Sequence, residues 1–254
     1  RDLGERAMRE SIEVTGMVLL ASPVGDYDKR LVILTKERGK ITAFARGARR
    51  QNSSLLAAAN PFVFGTFRLY EGRSAYNLIQ ANVRNYFTEL AAEQPGVYYG
   101  FYFLEFADYY GREENDESQM INLLYASLRA LLRPSLDDRL VRRIFELKAM
   151  VINGEYPQVF SCNACGGSDN LAGISMRAGA VYCASCARLA PDLQRVSPSA
   201  LYAMQYIISS PIEKLYTFTV TPEVLRELSN LVERCVHRYV EKHFKSLEIL
   251  SVMK

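Results

Sequence analysis

Between Ser11 and about Arg84 the apolar residues come in short runs separated by turn residues, a pattern that predicts β-strands. Val14, Met17, Leu19 and Leu20 form the first run, which Pro23 and Gly25 end. Leu31 to Thr35 and Ile41 to Ala45 flank Glu37-Arg38-Gly39-Lys40, a hairpin turn in which Gly39 supplies the positive φ. Pro61 to Tyr70 alternates Phe62, Phe64, Phe67 and Leu69 with smaller or polar residues, Gly72 closes it, and Ala75 to Val83 makes a fifth strand. Ser53 to Ala59, rich in alanine, has room for one or two helical turns. Five strands with a small helix between the third and fourth match an OB-type barrel; a small sandwich and an SH3-like barrel stay open, because strand count does not fix closure.

After Asn85 the apolar period lengthens from two to about three and a half, and helices are expected. Tyr98, Tyr99, Phe101, Tyr102, Phe103, Phe106, Tyr109 and Tyr110 crowd one helix ended by Gly111. Rings this dense mark a core face rather than a base-stacking platform, which usually sits on an exposed sheet. Met120 to Leu132 is a second helix, stopped by Pro134. Ser135 or Asp137 can cap a third, whose stripe of Leu140, Ile144, Leu147 and Val151 ends at Gly154. These three are expected to pack as one bundle. Later, Ser197 caps a helix through Ser209, Thr221 with Glu223 starts another, and Leu231 to Phe244 continues the helical pattern. The fold class is therefore α+β, an N-terminal five-stranded barrel at 8–84 followed by a helical domain at 85–254. Arg1 to Ala7 resemble nothing that follows and read as a remnant of cloning.

With 254 residues, about half of them apolar, the chain can bury a real core. It has neither a long uncharged apolar run nor the pattern of a secretory signal, so a soluble, cytoplasmic protein is expected. The formal charge of +3 hides an uneven distribution. From Asp28 to Arg50 eight cations, Lys29, Arg30, Lys36, Arg38, Lys40, Arg46, Arg49 and Arg50, stand against Asp28 and Glu37, a local net of +6. Glu93, Glu105, Asp108, Glu113, Glu114 and Asp116 then face only Arg112. The chain has a basic end and an acidic middle.

Cys162-x2-Cys165 and Cys183-x2-Cys186 are separated by seventeen residues, the spacing of zinc ribbons and related sites. Each pair aims two thiolates at one point, so one structural Zn2+ is expected in a module at 160–188, with Asn170 to Tyr182 as a small hairpin. Two disulfides are disfavoured in a reducing compartment, and no βαβ context suggests a redox pair. Four thiolates also close the metal shell, leaving no position for catalytic water. His237 and His243 fit no deaminase motif, Cys235 reads as a small core residue, and no phosphate loop or nucleophile elbow occurs. The expectation is a protein without enzyme activity.

In an OB barrel the second and third strands carry much of the nucleic-acid surface, and the eight cations gather there. Such side chains track phosphates without reading bases, giving binding that is indifferent to sequence and weakens with salt. Tyr27 and Phe44 can stack bases, although Phe44 can equally face the barrel interior. The other reading of the charge run is a solvated face that keeps the domain soluble.

Gly16-Met17-Val18-Leu19, Asp26-Tyr27-Asp28-Lys29, Leu34-Thr35-Lys36-Glu37-Arg38-Gly39-Lys40 and Ala45-Arg46-Gly47-Ala48-Arg49-Arg50 closely resemble the amino-terminal domain of bacterial RecO recombination mediators. Pro61-Phe62 and Leu69-Tyr70-Glu71-Gly72 continue the match in order. Arg143-Ile144-Phe145-Glu146-Leu147-Lys148, Gly154-Glu155-Tyr156-Pro157 and Cys162-Asn163-Ala164-Cys165-Gly166 resemble that family's approach to its zinc module. The resemblance covers roughly Met8 to Cys186; the rest matches only in helical character. It implies an OB-fold joined to a helical domain, binding of single- and double-stranded DNA, and annealing of complementary strands. It also implies action with RecR, recognition of the carboxy-terminal tail of single-strand-binding protein, and a functional link to RecA loading in repair. The tail-binding site is not assigned to particular residues. The rival readings are a zinc-ribbon protein of the RNA or translation machinery and a purely structural adaptor.

Overall fold

The computed structural model describes residues 11–253, so the leading segment 1–7 and Met8 lie outside the described residues. Five strands, β1 (Ser11–Val24), β2 (Asp28–Thr35), β3 (Gly39–Ala45), β4 (Phe64–Glu71) and β5 (Tyr76–Asn85), close into a barrel in the order β1-β2-β3-β5-β4. That closure is the OB arrangement, and it settles the choice left open by strand count. The one parallel contact, Ala43 with Tyr76 and Phe44 with Asn77, joins β3 to β5, while β4 returns antiparallel onto β1. Alternation along β3 sends Ile41, Ala43 and Ala45 inward, where they meet Val14, Val18, Leu31, Ile33, Phe67, Leu69 and Leu78. Between β3 and β4 the alanine-rich connector forms successive hydrogen-bonded turns with a single α-type bond, Ala59 N–H to the Leu55 carbonyl, rather than a regular helix. The fourth strand begins later than its aromatic pattern suggests, because Phe62 takes φ 74° and breaks the extended backbone.

The chain divides into two compact units, and the boundary differs from the strand-to-helix change at Asn85. The first unit takes the barrel, the helices up to Leu128 and the C-terminal residues from Phe244. It contains α1 (Thr88–Ala92) and α2 (Gly96–Tyr110), while α3 (Ser118–Leu131) runs across the division. Tyr102, Phe103, Phe106, Ala107 and Tyr110 are all buried, so α2 is covered on several sides, as its ring density implies. Tyr125 of α3 sits 5.0 Å from Phe64 and 5.2 Å from Phe87, centroid to centroid.

Where α2 ends, the segment 111–117 lies against the β2–β3 hairpin: Lys40 N–H donates to the Arg112 carbonyl and Glu114 N–H to the Arg38 carbonyl. Gly39, at φ 65°, is doubly required, since a Cβ there would run into the Arg112 carbonyl and the Asn115 backbone. Gly39→Ala is expected to cost about 1–3 kcal/mol and to speed exchange of the Lys40 amide. An unchanged melting temperature would refute this account of the hairpin.

The second unit spans 129–243. Helix α4 (Asp138–Ile152) is capped by Asp137, whose side chain accepts from Arg139 N–H. It closes in a Schellman motif, Gly154 N–H to Val151 and Glu155 N–H to Met150. Three short strands follow, β6 (Leu171–Ser175), β7 (Ala180–Cys183) and β8 (Gln194–Arg195), ordered β7-β6-β8. Ser197 and Thr221 cap α5 (Pro198–Ser209) and α6 (Pro222–Tyr239) as expected. Lys148 of α4 donates to the carbonyls of Ile207, Ile208 and Ser210 at 3.3, 3.1 and 2.6 Å, satisfying the C-terminus of α5.

Two helical expectations need correction. Within the first unit α2 and α3 are not each other's chief partners: α2 packs on β1 and on the last helix, α7 (Lys245–Val252), while within the second unit α4 packs on α6 and α5. The helical run does not continue from Leu231 to Phe244 but stops at Tyr239, with Val240 extended. The competing force is tertiary: Phe244 is buried 5.4 Å from the ring of Tyr102 and stacked 5.3 Å from Phe106. Glu105 then accepts from Lys245 and Ser246 N–H, so a carboxylate caps α7.

Candidate nucleic-acid interface and metal centre

The barrel register brings three connections to one end. Val24 pairs with Asp28 around the β1–β2 turn, Lys29 pairs with Ala45 at the end of β3, and Glu71 pairs with Tyr76 around the β4–β5 turn. The turn after β3 is stapled there: Asp28 Oδ1 accepts from Gly47 N–H at 2.7 Å, the Tyr27 carbonyl from Arg49 N–H at 2.8 Å, and the Gly47 carbonyl from Arg50 N–H at 3.0 Å. Arg49 Nη1 reaches back to the Gly25 carbonyl at 3.1 Å, Arg46 Nε to Asn77 Oδ1 at 3.4 Å, and the Arg50 guanidinium lies 4.3 Å from the Tyr27 ring centroid. Arg30, Arg46, Arg49 and Arg50 all keep exposed surface. A cationic surface fixed by backbone bonds needs little reordering to receive phosphates.

The eight candidates thus divide. Lys29 is half-buried, its Nζ donating to the Ala59 carbonyl and Asn60 Oδ1, and burial together with the Arg49 charge lowers its pKa. Lys40 donates to the Asp108 carbonyl at 2.7 Å and pairs with the Asp108 carboxylate, a cation at the C-terminal end of α2. Burial raises the Tyr76 pKa with the Arg38 charge working against it, and Lys36 adds to the Ser118 hydrogen bonds that lower the Asp116 pKa. These four are only partly exposed, whereas Arg30, Arg46, Arg49 and Arg50 are exposed and keep surface for a ligand. Phe44 pairs with Arg30 and alternates with the inward Ala43 and Ala45, so it sits half-buried on the outer face. Arg73, exposed in the β4–β5 turn, was absent from the sequence candidates. It lies outside the charge run, and only the barrel order brings its turn to the same end as Arg46.

In the second unit the four candidate cysteines converge. Their Sγ atoms all lie within 4.8 Å of one another, with Cys165 and Cys183 3.9 Å apart. Four sulfurs around an ion with bonds of about 2.3 Å would stand about 3.8 Å apart, so the set fits a tetrahedral metal. Gly166, at φ 76°, lets the first knuckle fold back: Gly166 N–H donates to the Cys162 carbonyl and Cys162 N–H to the Gly167 carbonyl. β7 delivers Cys183, and the turn after it brings Cys186 N–H onto the Cys183 carbonyl. Backbone N–H groups, first of Cys165 and then of Cys183, hold the Cys162 thiol at a pKa of about 6. The Cys183 side chain and then burial push Cys186 up to about 12. Crowded thiols of this kind become simultaneous thiolates when a cation is bound. No disulfide occurs among the described residues, and no other group of three or more His, Cys, Asp or Glu there is placed to hold a metal. Cys235 is fully buried, and burial raises its thiol to about 12, as suits a small core residue. No helix of the described residues is long and apolar enough to cross a membrane.

Residues 8–87 match the family model described as Recombination protein O N terminal, and residues 96–248 the one described as Recombination protein O C terminal. A curated relative named DNA repair protein RecO, from Alkaliphilus metalliredigens, is 30% identical over 240 residues, covering 94% of this chain and 98% of its own. Relatives of the same name from Acetivibrio thermocellus and Bacillus pumilus are 25% and 26% identical, covering 95% and 96% of this chain and 97% and 94% of their own.

Proposed function

Because the chain belongs to the RecO family of DNA repair proteins, we propose that it binds single- and double-stranded DNA without sequence choice and anneals complementary strands. With RecR it would load RecA onto DNA coated by single-strand-binding protein, whose carboxy-terminal tail it recognises through the helical part of the chain. No step of this reading calls for enzyme chemistry. Annealing needs a cationic surface that lowers the repulsion between two phosphate backbones; base pairing then supplies the free energy.

The observation that carries the reading is the stapled, outward cluster of Arg30, Arg46, Arg49 and Arg50 at the end of the barrel where OB-folds hold nucleic acid. The triple variant Arg46→Glu, Arg49→Glu, Arg50→Glu is expected to weaken oligonucleotide binding at low salt by about tenfold to a hundredfold. Its log–log salt slope should fall by about two, since each phosphate contact on a single strand accounts for roughly 0.7. Annealing of complementary oligonucleotides, with and without single-strand-binding protein, should decline in parallel. Unchanged affinity and slope in a folded variant would refute the interface.

The metal of Cys162, Cys165, Cys183 and Cys186 we take to be zinc, which four soft thiolates in a tetrahedron favour. It would supply cross-linking and no Lewis-acid chemistry, because the thiolates fill its shell. Its place in the chain supports a joining role: Gln205 of α5 donates to the Val159 carbonyl just before the module, and Gln158 N–H donates to the Gly179 carbonyl within it.

A further inference from the structure

The arginine cluster accounts for phosphates but leaves the aromatic ring beside it without a role. Tyr27, at the tip of the β1–β2 turn, is 50% exposed, although a ring of this size is usually mostly covered. One of its faces is occupied: the Arg50 guanidinium carbon stands 4.3 Å from the ring centroid. Its main chain is fixed as well, the carbonyl accepting from Arg49 N–H at 2.8 Å, while Asp28 anchors the following turn through Gly47. The ring is thus held at a set position by the Arg50 cation on one side, next to the turn that carries Arg46 and Arg49.

The geometry points to Tyr27 as a base-stacking position for single-stranded DNA, the base lying on the ring face opposite Arg50 while its phosphates sit on the arginines around it. This rests on the phosphate interface proposed above and adds a selectivity to it. Every base has a π-face, so stacking on Tyr27 is tolerant of sequence. In a duplex both faces of each base are already stacked, so the ring gains nothing there and the arginines alone act. Tyr27 therefore favours single strands over duplex, whereas the arginines favour both. An annealing surface gains from such a difference, because the product loses the ring's hold as soon as its bases pair.

The chain contains no tryptophan, so Tyr27→Trp introduces a single indole reporter at the site. Its emission is expected to be quenched by oligo-dT, and to respond little to a duplex or to an abasic oligomer of equal phosphate concentration. Tyr27→Ala should bind oligo-dT about tenfold more weakly, with duplex affinity and the salt slope unchanged, and Tyr27→Phe should behave as the parent. If Tyr27→Ala binds single strands and duplex as the parent does, while the triple arginine variant loses both, the stacking proposal falls and the phosphate interface stands. Equal losses for single strand and duplex, or quenching by the abasic oligomer as strong as by oligo-dT, overturn it as well. Should the triple arginine variant also bind unchanged, both readings fall together.

Discussion

Replacing Cys162 with serine, or stripping the native chain with a strong chelator, is expected to melt the segment from Cys162 to Ala190 and to lower the stability of the unit that contains it. The buried apolar cluster of the module consists of Cys162, Tyr182, Cys183 and Ala190, flanked by Leu171, Cys186 and Leu193. Three of its seven members belong to the four-cysteine cluster placed to hold a metal, so the sulfurs are the centre of this core rather than an addition to it. The strands around it have five, four and two residues, too little sheet to hold its shape through backbone bonds alone. Structural zinc in peptides of this size contributes about 10–16 kcal/mol at neutral pH, and here most of that would go into ordering the two knuckles. The native chain should release one zinc per molecule on titration with a mercurial. Chelation should shift the melting curve down and open the amides of Val181 and Cys162 to exchange. Native protein free of metal, or a melting curve indifferent to the chelator, would be decisive against a structural ion.

The same loss separates fold from function. The arginine cluster lies in the other compact unit, so a metal-stripped chain that keeps the barrel should still retain oligonucleotides at low salt. Loss of binding in proportion to loss of zinc, with the barrel still folded, would give the metal a part in DNA contact that the closed thiolate shell does not suggest.

How far the sequence could be read follows from the range of the interactions involved. Leu31 and Ile33 on one strand and Ile41, Ala43 and Ala45 on the next alternate as the barrel requires, and Gly39 sits at the turn between them. These are local patterns, and they translated directly into strands and register. The cysteine spacing behaved likewise, because each knuckle is a local turn. Charge did not translate so well. Lys40 and Arg46 look alike in the basic run, yet Lys40 is partly buried against Asp108, 68 residues away, while Arg46 stays exposed with a longer bond to Asn77. Nothing near Lys40 announces that partner. Helix pairing failed for a related reason: the stripe of Leu140, Ile144 and Leu147 states that α4 has a buried face but not that α6 and α5 cover it. The stop at Tyr239 carries no glycine or proline, because the chain leaves the helix to seat Phe244.

A second strong effect should come from Glu146, which is expected to cost the fold about 3–5 kcal/mol when replaced by alanine. Its side chain is 1% exposed on α4, accepting from Arg143 Nη1 at 3.0 Å and, more loosely, from Arg142 Nε at 3.5 Å. Arg143 is itself only 10% exposed. A buried pair of this kind gains little over apolar residues of the same size, since desolvating both charges offsets most of their attraction. Removing one partner is different, because the guanidinium of Arg143 would stay buried with its main counter-charge gone. In a chain of this length, a loss of that size lowers the melting temperature by about 6–20 °C. Adding Arg143→Met to Glu146→Ala should recover much of it, by removing the stranded charge and keeping an unbranched apolar chain in its place. The comparison of single and double variants is therefore more telling than either alone. If the double variant melts no higher than Glu146→Ala, the cost comes from the cavity left by the glutamate, and the charge pair is not what makes this position sensitive.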